Sequence, residues 1–172
     1  YINNASGSTC DFDFVHYGST TTGTWGSSSR SFTLGAWNHV VVTYNNSSTS
    51  NNPIIYINGS AISITEGAAT DGPDDDTDTK HIGSSDTAHR TWDGYISEVA
   101  MWKAILDADA VTVAYNAGVQ GFDLSADSGN YDNSGDLKGW WKMDNAFTVQ
   151  DLTSYNNDAT AAGSPVLSTM PE

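Results

Sequence analysis

Polar and apolar residues alternate along several short segments of the chain, and this alternation is its main structural signal. In "CDFDFVHY" (10–17), Phe12 and Phe14 fall on one face, with Val15 and Tyr17 on the other. A period of two is typical of β-strands that are buried on one side. Alternation or β-branched content also predicts strands at 30–34, 37–44, 54–59, 60–65, 80–85, 90–102 and 137–144, and a weaker closing strand after a turn within 149–163.

Turns and one capped helix complete this pattern. The pair Asn58-Gly59 is a strong hairpin signal, because both residue types accept positive φ. Residues 107–118, "DADAVTVAYNAG", predict a short helix, since Asp107 can cap its start and Gly118 can end it. Short strands with turns between them favour an antiparallel sandwich or barrel over an alternating βαβ fold.

The excess of acidic over basic residues bears on which macromolecules the chain can bind. The chain has 21 acidic and 6 basic residues and a formal net charge of -15, and 18 of the acidic residues are Asp. Asp favours turns and caps, so most of the negative charge is expected in loops. The few Lys and Arg residues are scattered, whereas a nucleic-acid interface needs them clustered. We therefore expect no nucleic-acid partner.

Hydropathy and the single cysteine give less information. No run approaches the roughly 18 apolar residues of a membrane span, so no membrane insertion is expected. Cys10 is the only cysteine and cannot form an internal disulfide. The chain opens on "YINNASGSTC", which is already strand and turn material. We expect it to be the C-terminal part of a longer protein.

An ordered series of motifs carries a family resemblance. "WNHVVVTY" (37–44) is followed by "IIYING" (54–59), then by "DGYISEVAMW" (93–102) and a short helix that ends in "YNAG". This order resembles the laminin-G-like and pentraxin-like branch of the concanavalin A-like lectin/glucanase superfamily. "GWWKMDN" and "DLTSYNNDATAAG" resemble the strand and turn that pair with the same sheets in that branch. The composition is also similar to virion structural proteins of marine tailed phages.

The resemblance implies an all-β fold: a two-sheet antiparallel jelly-roll sandwich with one short helix. It implies a single laminin-G-like domain over 1–172, in which 123–172 supply closing strands and loops. Such domains serve as lectins, adhesion modules, glycan hydrolases and spacers, so the function has to be argued from the site.

Catalysis has little support in the residues. Retaining glycan hydrolases need two carboxylates about 5 Å apart. The three Glu residues, Glu66, Glu98 and Glu172, are never close in sequence, and Asp pairs such as Asp11 and Asp13 are expected by chance among 18 Asp residues. No G-x-S-x-G elbow or zinc-ligand pair occurs. No catalytic residue is assigned, and we expect the protein not to be an enzyme.

Glu98 is the one carboxylate placed among apolar neighbours. Read with a period of two, it shares a face with Ile96, Ala100 and Trp102 in "DGYISEVAMW". Both faces of this segment are expected to be buried. Glu98 is expected to accept hydrogen bonds from the backbone or from a nearby polar side chain. His39, in the strand 37–44, is expected to be a packed or edge-strand imidazole.

Calcium binding is a more specific chemical hypothesis than catalysis. The loop "TDGPDDDTDTKH" (70–81) concentrates carboxylates of the kind that Ca²⁺ prefers, but lacks the spacing of an EF-hand. The alternative is a solvated acidic loop that keeps a sheet edge soluble. The candidate ligands are Asp71, Asp74, Asp75, Asp76 and Asp78.

Sugar binding would need an exposed aromatic ring beside polar partners. Trp25, in "TTTGTWGSSSR", and Trp92, at the start of the strand 90–102, are the candidate platforms. Each ring could instead cap the core. The resulting hypothesis is a non-catalytic structural or attachment module on a virion or other extracellular surface, with other subunits of the assembly and cell-surface glycans as partners. The alternative is a calcium-dependent lectin or adhesion module.

Overall fold

A computed structural model of the protein describes residues 1–69, 79–84, 91–118, 122–144, 148–162 and 166. The chain divides into two compact units. Unit 1 comprises residues 1–76 and 105–116, and unit 2 comprises 77–104 and 117–172. The single-domain organisation stays a prediction. No helix in the described part of the chain is long and apolar enough to cross a membrane.

Unit 1 contains a five-stranded antiparallel sheet. Four of its strands are neighbours in the order β1-β2-β3-β8. The fifth, β4, pairs with the start of β2 on the edge opposite β1. The strand at 10–17 is confirmed as β2, and the segment 30–34 holds the short β4. The bounds are β1 Ile2–Ser6, β2 Thr9–Tyr17, β3 Thr22–Ser27, β4 Phe32–Thr33 and β8 Ile64–Ala68.

A three-stranded antiparallel sheet forms the second layer of unit 1. It consists of β5 (Val40–Thr43), β6 (Ile54–Ile57) and β7 (Ser60–Ala61). The turn between β6 and β7 has positive φ at both Asn58 (51°) and Gly59 (78°). This is the geometry of a tight two-residue hairpin, so the turn predicted from Asn-Gly is confirmed.

Aromatic rings from both sheets pack together in the core of unit 1. Trp25 of β3 lies opposite Phe14 of β2 in the strand register, and their ring centroids are 5.8 Å apart. Tyr44, the residue after β5, brings its ring centroid to 5.3 Å from that of Trp25 and 5.9 Å from that of Phe14. The indole nitrogen of Trp25 donates to the Asn52 side-chain oxygen at 2.8 Å. These contacts join the two sheets as the predicted antiparallel sandwich.

The helix also belongs to unit 1. It runs over Ala108–Asn116 and is α1, and the Asp107 carboxylate accepts a hydrogen bond from the Ala110 N–H at 2.8 Å. The predicted cap is therefore confirmed. Tyr115 near its end places its ring 5.7 Å from the His39 ring. The one short helix of the predicted fold class is confirmed.

Unit 2 contains two short antiparallel strand pairs. β9 (Val99–Trp102) pairs with β10 (Leu137–Trp141), and β11 (Thr148–Val149) pairs with β12 (Ala159–Thr160). Residues Ser134–Asp136 form a 3-10 turn before β10. The weak closing strand predicted within 149–163 is confirmed as β12.

Buried aromatic side chains form the core of unit 2. Tyr131 is fully buried, and its hydroxyl donates to the Leu124 carbonyl oxygen at 2.8 Å while it accepts the Trp102 indole N–H at 3.0 Å. Trp140 and Trp141 are both buried. Each indole N–H has a partner, which a buried tryptophan requires.

Two strand predictions in unit 2 are wrong. Residues 80–84 contain no strand, and within the described residues 91–102 only Val99–Trp102 is a strand. Glu98 has φ of 53°, in the left-handed region that an extended strand does not use, so the strand begins after it. The burial of both faces is also wrong, because Met101 is 56% exposed.

Asp151 joins β10 to the turn that precedes β12. Its Oδ1 accepts the Trp140 and Thr153 N–H groups, and its Oδ2 accepts the Thr153 hydroxyl and the Asn157 N–H, at 2.9 to 3.0 Å. Burial acts to raise the pKa of Asp151, but these hydrogen bonds outweigh it and hold the pKa below its usual value. The buried carboxylate is thus an anchor of the closing turn.

We predict that Asp151→Asn destabilises unit 2 by about 2–4 kcal/mol at pH 7, because an amide turns a donor toward groups that themselves donate. Since the folded pKa of Asp151 is depressed, its stabilising effect is complete well above about pH 3.9 and is lost as the pH falls through the folded pKa. Urea unfolding should show a gap between wild type and variant that narrows at pH 3. The exposed Asp132→Asn is the control, and a gap of equal size at both pH values would contradict the prediction.

Candidate functional site

The outer face of the five-stranded sheet carries a row of cross-strand neighbours. Because Phe14 and Trp25 point into the sandwich, the adjacent residues Asp13 and Gly26 fall on the opposite face. Gly26 pairs in turn with Thr65 of β8. At the other end, Tyr1 and Asp13 exchange two backbone hydrogen bonds, each 2.7 Å long.

Two glycines allow polar side chains to lie close over the backbone of this sheet. A Cβ atom on Gly26 would lie 2.7 Å from the Asp13 carboxylate oxygen, and one on Gly67 would lie 2.7 Å from the Thr24 hydroxyl oxygen, so these groups occupy the space that larger residues would fill. Beside them the surface has a depression of about 180 Å³. We call it the sheet depression; its lining residues are Tyr1, Asp13, Thr24, Trp25, Gly26, Thr65 and Gly67.

Asp13 is the charged group of the sheet depression. It is buried, and its carboxylate accepts a hydrogen bond from the Asn3 side-chain amide. Asp11, two residues earlier on the same face, accepts from the Asn4 amide at 2.7 Å. Each carboxylate of the Asp11 and Asp13 pair thus has an asparagine partner, which orients it without neutralising its charge.

The chemistry of the sheet depression is that of a polar ligand site. Asp13 supplies a hydrogen-bond acceptor, and Thr24 and Thr65 supply hydroxyls that can donate or accept. Tyr1, which is 55% exposed, adds an aromatic ring at the rim. No Lys, Arg or His is among the described residues that line it. Several convergent polar groups in a concave surface are what a small hydroxylated ligand needs.

Sequence reasoning missed most of this site. The hydrophobic pattern predicts no strand at Trp25, but Thr22–Ser27 is the strand β3. One signal was present, because an isolated Gly in a strand often marks a place where another group approaches closely. The position of β8 beside β3 is a long-range pairing that no local pattern reveals.

The two predicted sugar platforms differ in exposure. Trp25 is 0% exposed and its ring lies between the two sheets, so its core alternative is the correct one and its ring offers no face to a sugar. Trp92 is half-buried, and its indole nitrogen lies 3.0 Å from where a Cβ on Gly94 would be. A sugar contact at Trp92 stays a prediction.

The predicted calcium ligands Asp71, Asp74, Asp75, Asp76 and Asp78 lie outside the described residues. Within the part of the chain that is described, no group of three His, Cys, Asp or Glu residues has an arrangement that could hold a metal ion. Calcium binding by the acidic loop therefore stays a prediction.

Glu98 has the role predicted for it. Its carboxylate accepts the Trp140 indole N–H at 2.8 Å, and the Lys142 ammonium lies 4.9 Å from the centroid of the Trp140 ring. Burial raises the pKa of Glu98, while the bond from Trp140 and the charge of Lys142 partly oppose that rise. Glu98 thus holds the indole of a buried strand residue in place.

His39 is also a packing residue, as expected. Its ring stacks obliquely on Tyr115, and burial lowers its pKa. Its backbone N–H donates to the Asn58 side-chain oxygen at 2.9 Å, which ties the start of β5 to the hairpin turn. The imidazole supports the turn and the helix of unit 1.

Comparison with known proteins gives one match. A family model of laminin-G-like domains, described as concanavalin A-like lectin/glucanases superfamily, matches residues 1–112, which is more than half of the chain. Neither the curated proteins nor the solved structures give a significant match. The matched range includes every residue that lines the sheet depression.

We predict that Glu98→Gln costs less than about 1 kcal/mol in urea unfolding at pH 7, because the amide oxygen still accepts the Trp140 indole N–H. Glu98→Ala should cost about 1–3 kcal/mol, since it leaves that donor without a partner. Because the folded pKa of Glu98 is raised, wild type should gain stability as the pH falls through that pKa, and Glu98→Gln should not. The exposed Glu66→Ala is the control. Equal losses in Glu98→Gln and Glu98→Ala would contradict the assigned role.

Proposed function

Because the chain belongs to the laminin-G-like family of the concanavalin A-like lectin/glucanase superfamily, we propose that it is a non-catalytic module that attaches an extracellular assembly to glycans. The family indicates a carbohydrate-binding or adhesion-type module. The observation that carries the proposal is the sheet depression, in which Asp13, Thr24 and Thr65 present hydrogen-bonding groups on one concave surface.

The arrangement of carboxylates supports a binding role over a catalytic one. Glycoside hydrolysis needs one carboxylate as an acid and a second as a nucleophile or base across the scissile bond. Asp13 and Asp11 are each bonded to an asparagine amide, and both lie on one strand face rather than across a cleft. Glu98, in unit 2, is bonded to the Trp140 indole. These carboxylates serve to orient neighbouring groups.

The proposed setting is the surface of a virion or of another extracellular assembly. The support is the composition, in which abundant Asn, Ser, Thr and Asp and a net charge of -15 favour a well-hydrated surface. Other structural subunits of the same assembly would then be its protein partners. Detection of the protein on purified particles by antibody labelling would test this setting directly.

A second candidate function is calcium-dependent carbohydrate binding or adhesion. The observation that favours it is the concentration of five Asp residues within 71–78. Hard cations bind through several carboxylate oxygens on one loop. In this function the ion would be held by the carboxylates of the loop.

We predict a higher melting temperature in 5 mM calcium than in EDTA if this loop binds the ion, because a ligand that binds only the folded state stabilises it. A rise of several degrees is the expected result, and replacing Asp74, Asp75 and Asp76 by Asn should remove it. The matched control replaces Asp127, Asp132 and Asp136 by Asn. An identical melting temperature in calcium and EDTA would exclude calcium as a stabilising ligand.

We predict that the intact protein binds a subset of immobilised glycans on an array and releases no reducing ends from them. Binding without hydrolysis is the result that a lectin-like attachment module gives. Absence of binding to every glycan would contradict the proposed attachment function. Release of reducing ends from a bound glycan would contradict its non-catalytic character.

A further inference from the structure

We propose that the sheet depression binds a single pyranose ring that carries no acidic group, and that it discriminates against sialylated, uronic and sulfated glycans. This inference rests on the proposed glycan-binding function and adds to it the place of contact and the class of sugar. It is argued from the shape, the charge and the size of the depression.

The shape follows from the row across four strands. Tyr1, Asp13, Gly26 and Thr65 are successive cross-strand neighbours, and only Gly26 lacks a side chain. The Asp13 carboxylate lies over Gly26, 2.7 Å from where a Cβ would be, so a ligand in the depression meets this carboxylate and the Thr65 hydroxyl. Each sugar hydroxyl can donate to a carboxylate and accept from or donate to a threonine.

The side-chain charge of the depression is negative. Asp13 is 8% exposed, and Asp11 adds a second carboxylate on the same strand face. Arg30 approaches this face, but its guanidinium donates to the backbone and side-chain oxygens of Asn4 rather than lining the depression. Recognition of carboxylate or sulfate relies on Arg or Lys that face the anion. An anionic sugar would instead meet like charge, which disfavours its binding.

The size limits the ligand to about one ring. The depression has about 180 Å³, below the roughly 300–1,000 Å³ typical of pockets for drug-sized ligands. Thr24 is partly buried, whereas Thr65 and Gly67 are exposed, so one side of the depression opens to solvent. A longer glycan could therefore continue along the surface of the sheet. The exposed ring of Tyr1 at the rim could stack against the apolar face of the sugar.

The test compares wild type with variants of the depression on one array. The immobilised probes are glucose, galactose, mannose and glucosamine glycosides, together with sialylated, glucuronate-containing and sulfated glycans. Gly67→Ala places a Cβ 2.7 Å from the Thr24 hydroxyl oxygen and so displaces that hydroxyl from the depression. Asp13→Asn removes the charge, and Thr65→Val removes a hydroxyl at an exposed position. The controls are Thr33→Val, on a strand of the same sheet outside the depression, and Gly135→Ala, where a Cβ would meet nothing within 4 Å.

We expect wild type to bind glycans without acidic groups, and Gly67→Ala and Thr65→Val each to weaken that binding by about tenfold. Both controls should bind as wild type does. Asp13→Asn should reduce the discrimination against anionic glycans, because the repelling charge is gone. Thermal melts identify any variant that is unfolded, and the exposed Thr65→Val keeps the test decisive if Gly67→Ala or Asp13→Asn does not fold.

Three other results have distinct meanings. Wild type that binds sialylated or sulfated glycans as well as uncharged ones would overturn the charge selection and leave the proposed function standing. Binding of uncharged glycans that is unchanged in folded Gly67→Ala and Thr65→Val would overturn the assignment to the sheet depression. Absence of binding to every probe would overturn the proposed function itself.

Discussion

The packing of Trp25 against Phe14 and Tyr44 is the contact on which the outer surface of unit 1 depends. Rings from both sheets meet there, and Trp25 is completely buried. A strand shows alternate residues to opposite faces, so turning Trp25 and Phe14 inward turns Gly26 and Asp13 outward. A slip of one residue in the register would exchange the two faces. The core contact and the polar depression are therefore consequences of the same register.

Unit 2 is held together by hydrogen bonds to its tryptophans. The indole N–H of Trp102 donates to Tyr131, that of Trp140 to Glu98, and that of Trp141 to the carbonyl oxygen of Asn157. A buried indole supplies a large apolar surface and one donor that must be satisfied. The carboxylate of Glu98 is thus explained by the needs of a tryptophan-rich core. A residue in the left-handed region and a pKa raised by burial do not by themselves identify an active site.

Strands and the helix could be predicted from the sequence where their signal is local. The sheet depression could not be predicted, because the residues that form it are distant in sequence. Alternation identified β2, and the capping residue Asp107 identified the helix. β3 was missed because "TGTWGS" is rich in small polar residues, and the pairing of β8 with β3 is long-range. The strand expected at 90–102 is reduced to Val99–Trp102 in the described residues, and a periodic pattern does not reveal the positive φ of Glu98 just before it.

The central claim is that the surface opposite the Trp25 core is a sugar-contact site. The most direct measurement is an NMR titration of ¹⁵N-labelled protein with the methyl glycoside of an uncharged hexose that it binds on the array. The account predicts that the backbone amides of Asp13, Gly26 and Gly67 shift progressively while those of Trp140 and Asp151 stay unchanged. Shifts centred on Trp92 or in the loop 70–78, with none at Gly26 and Gly67, would contradict it.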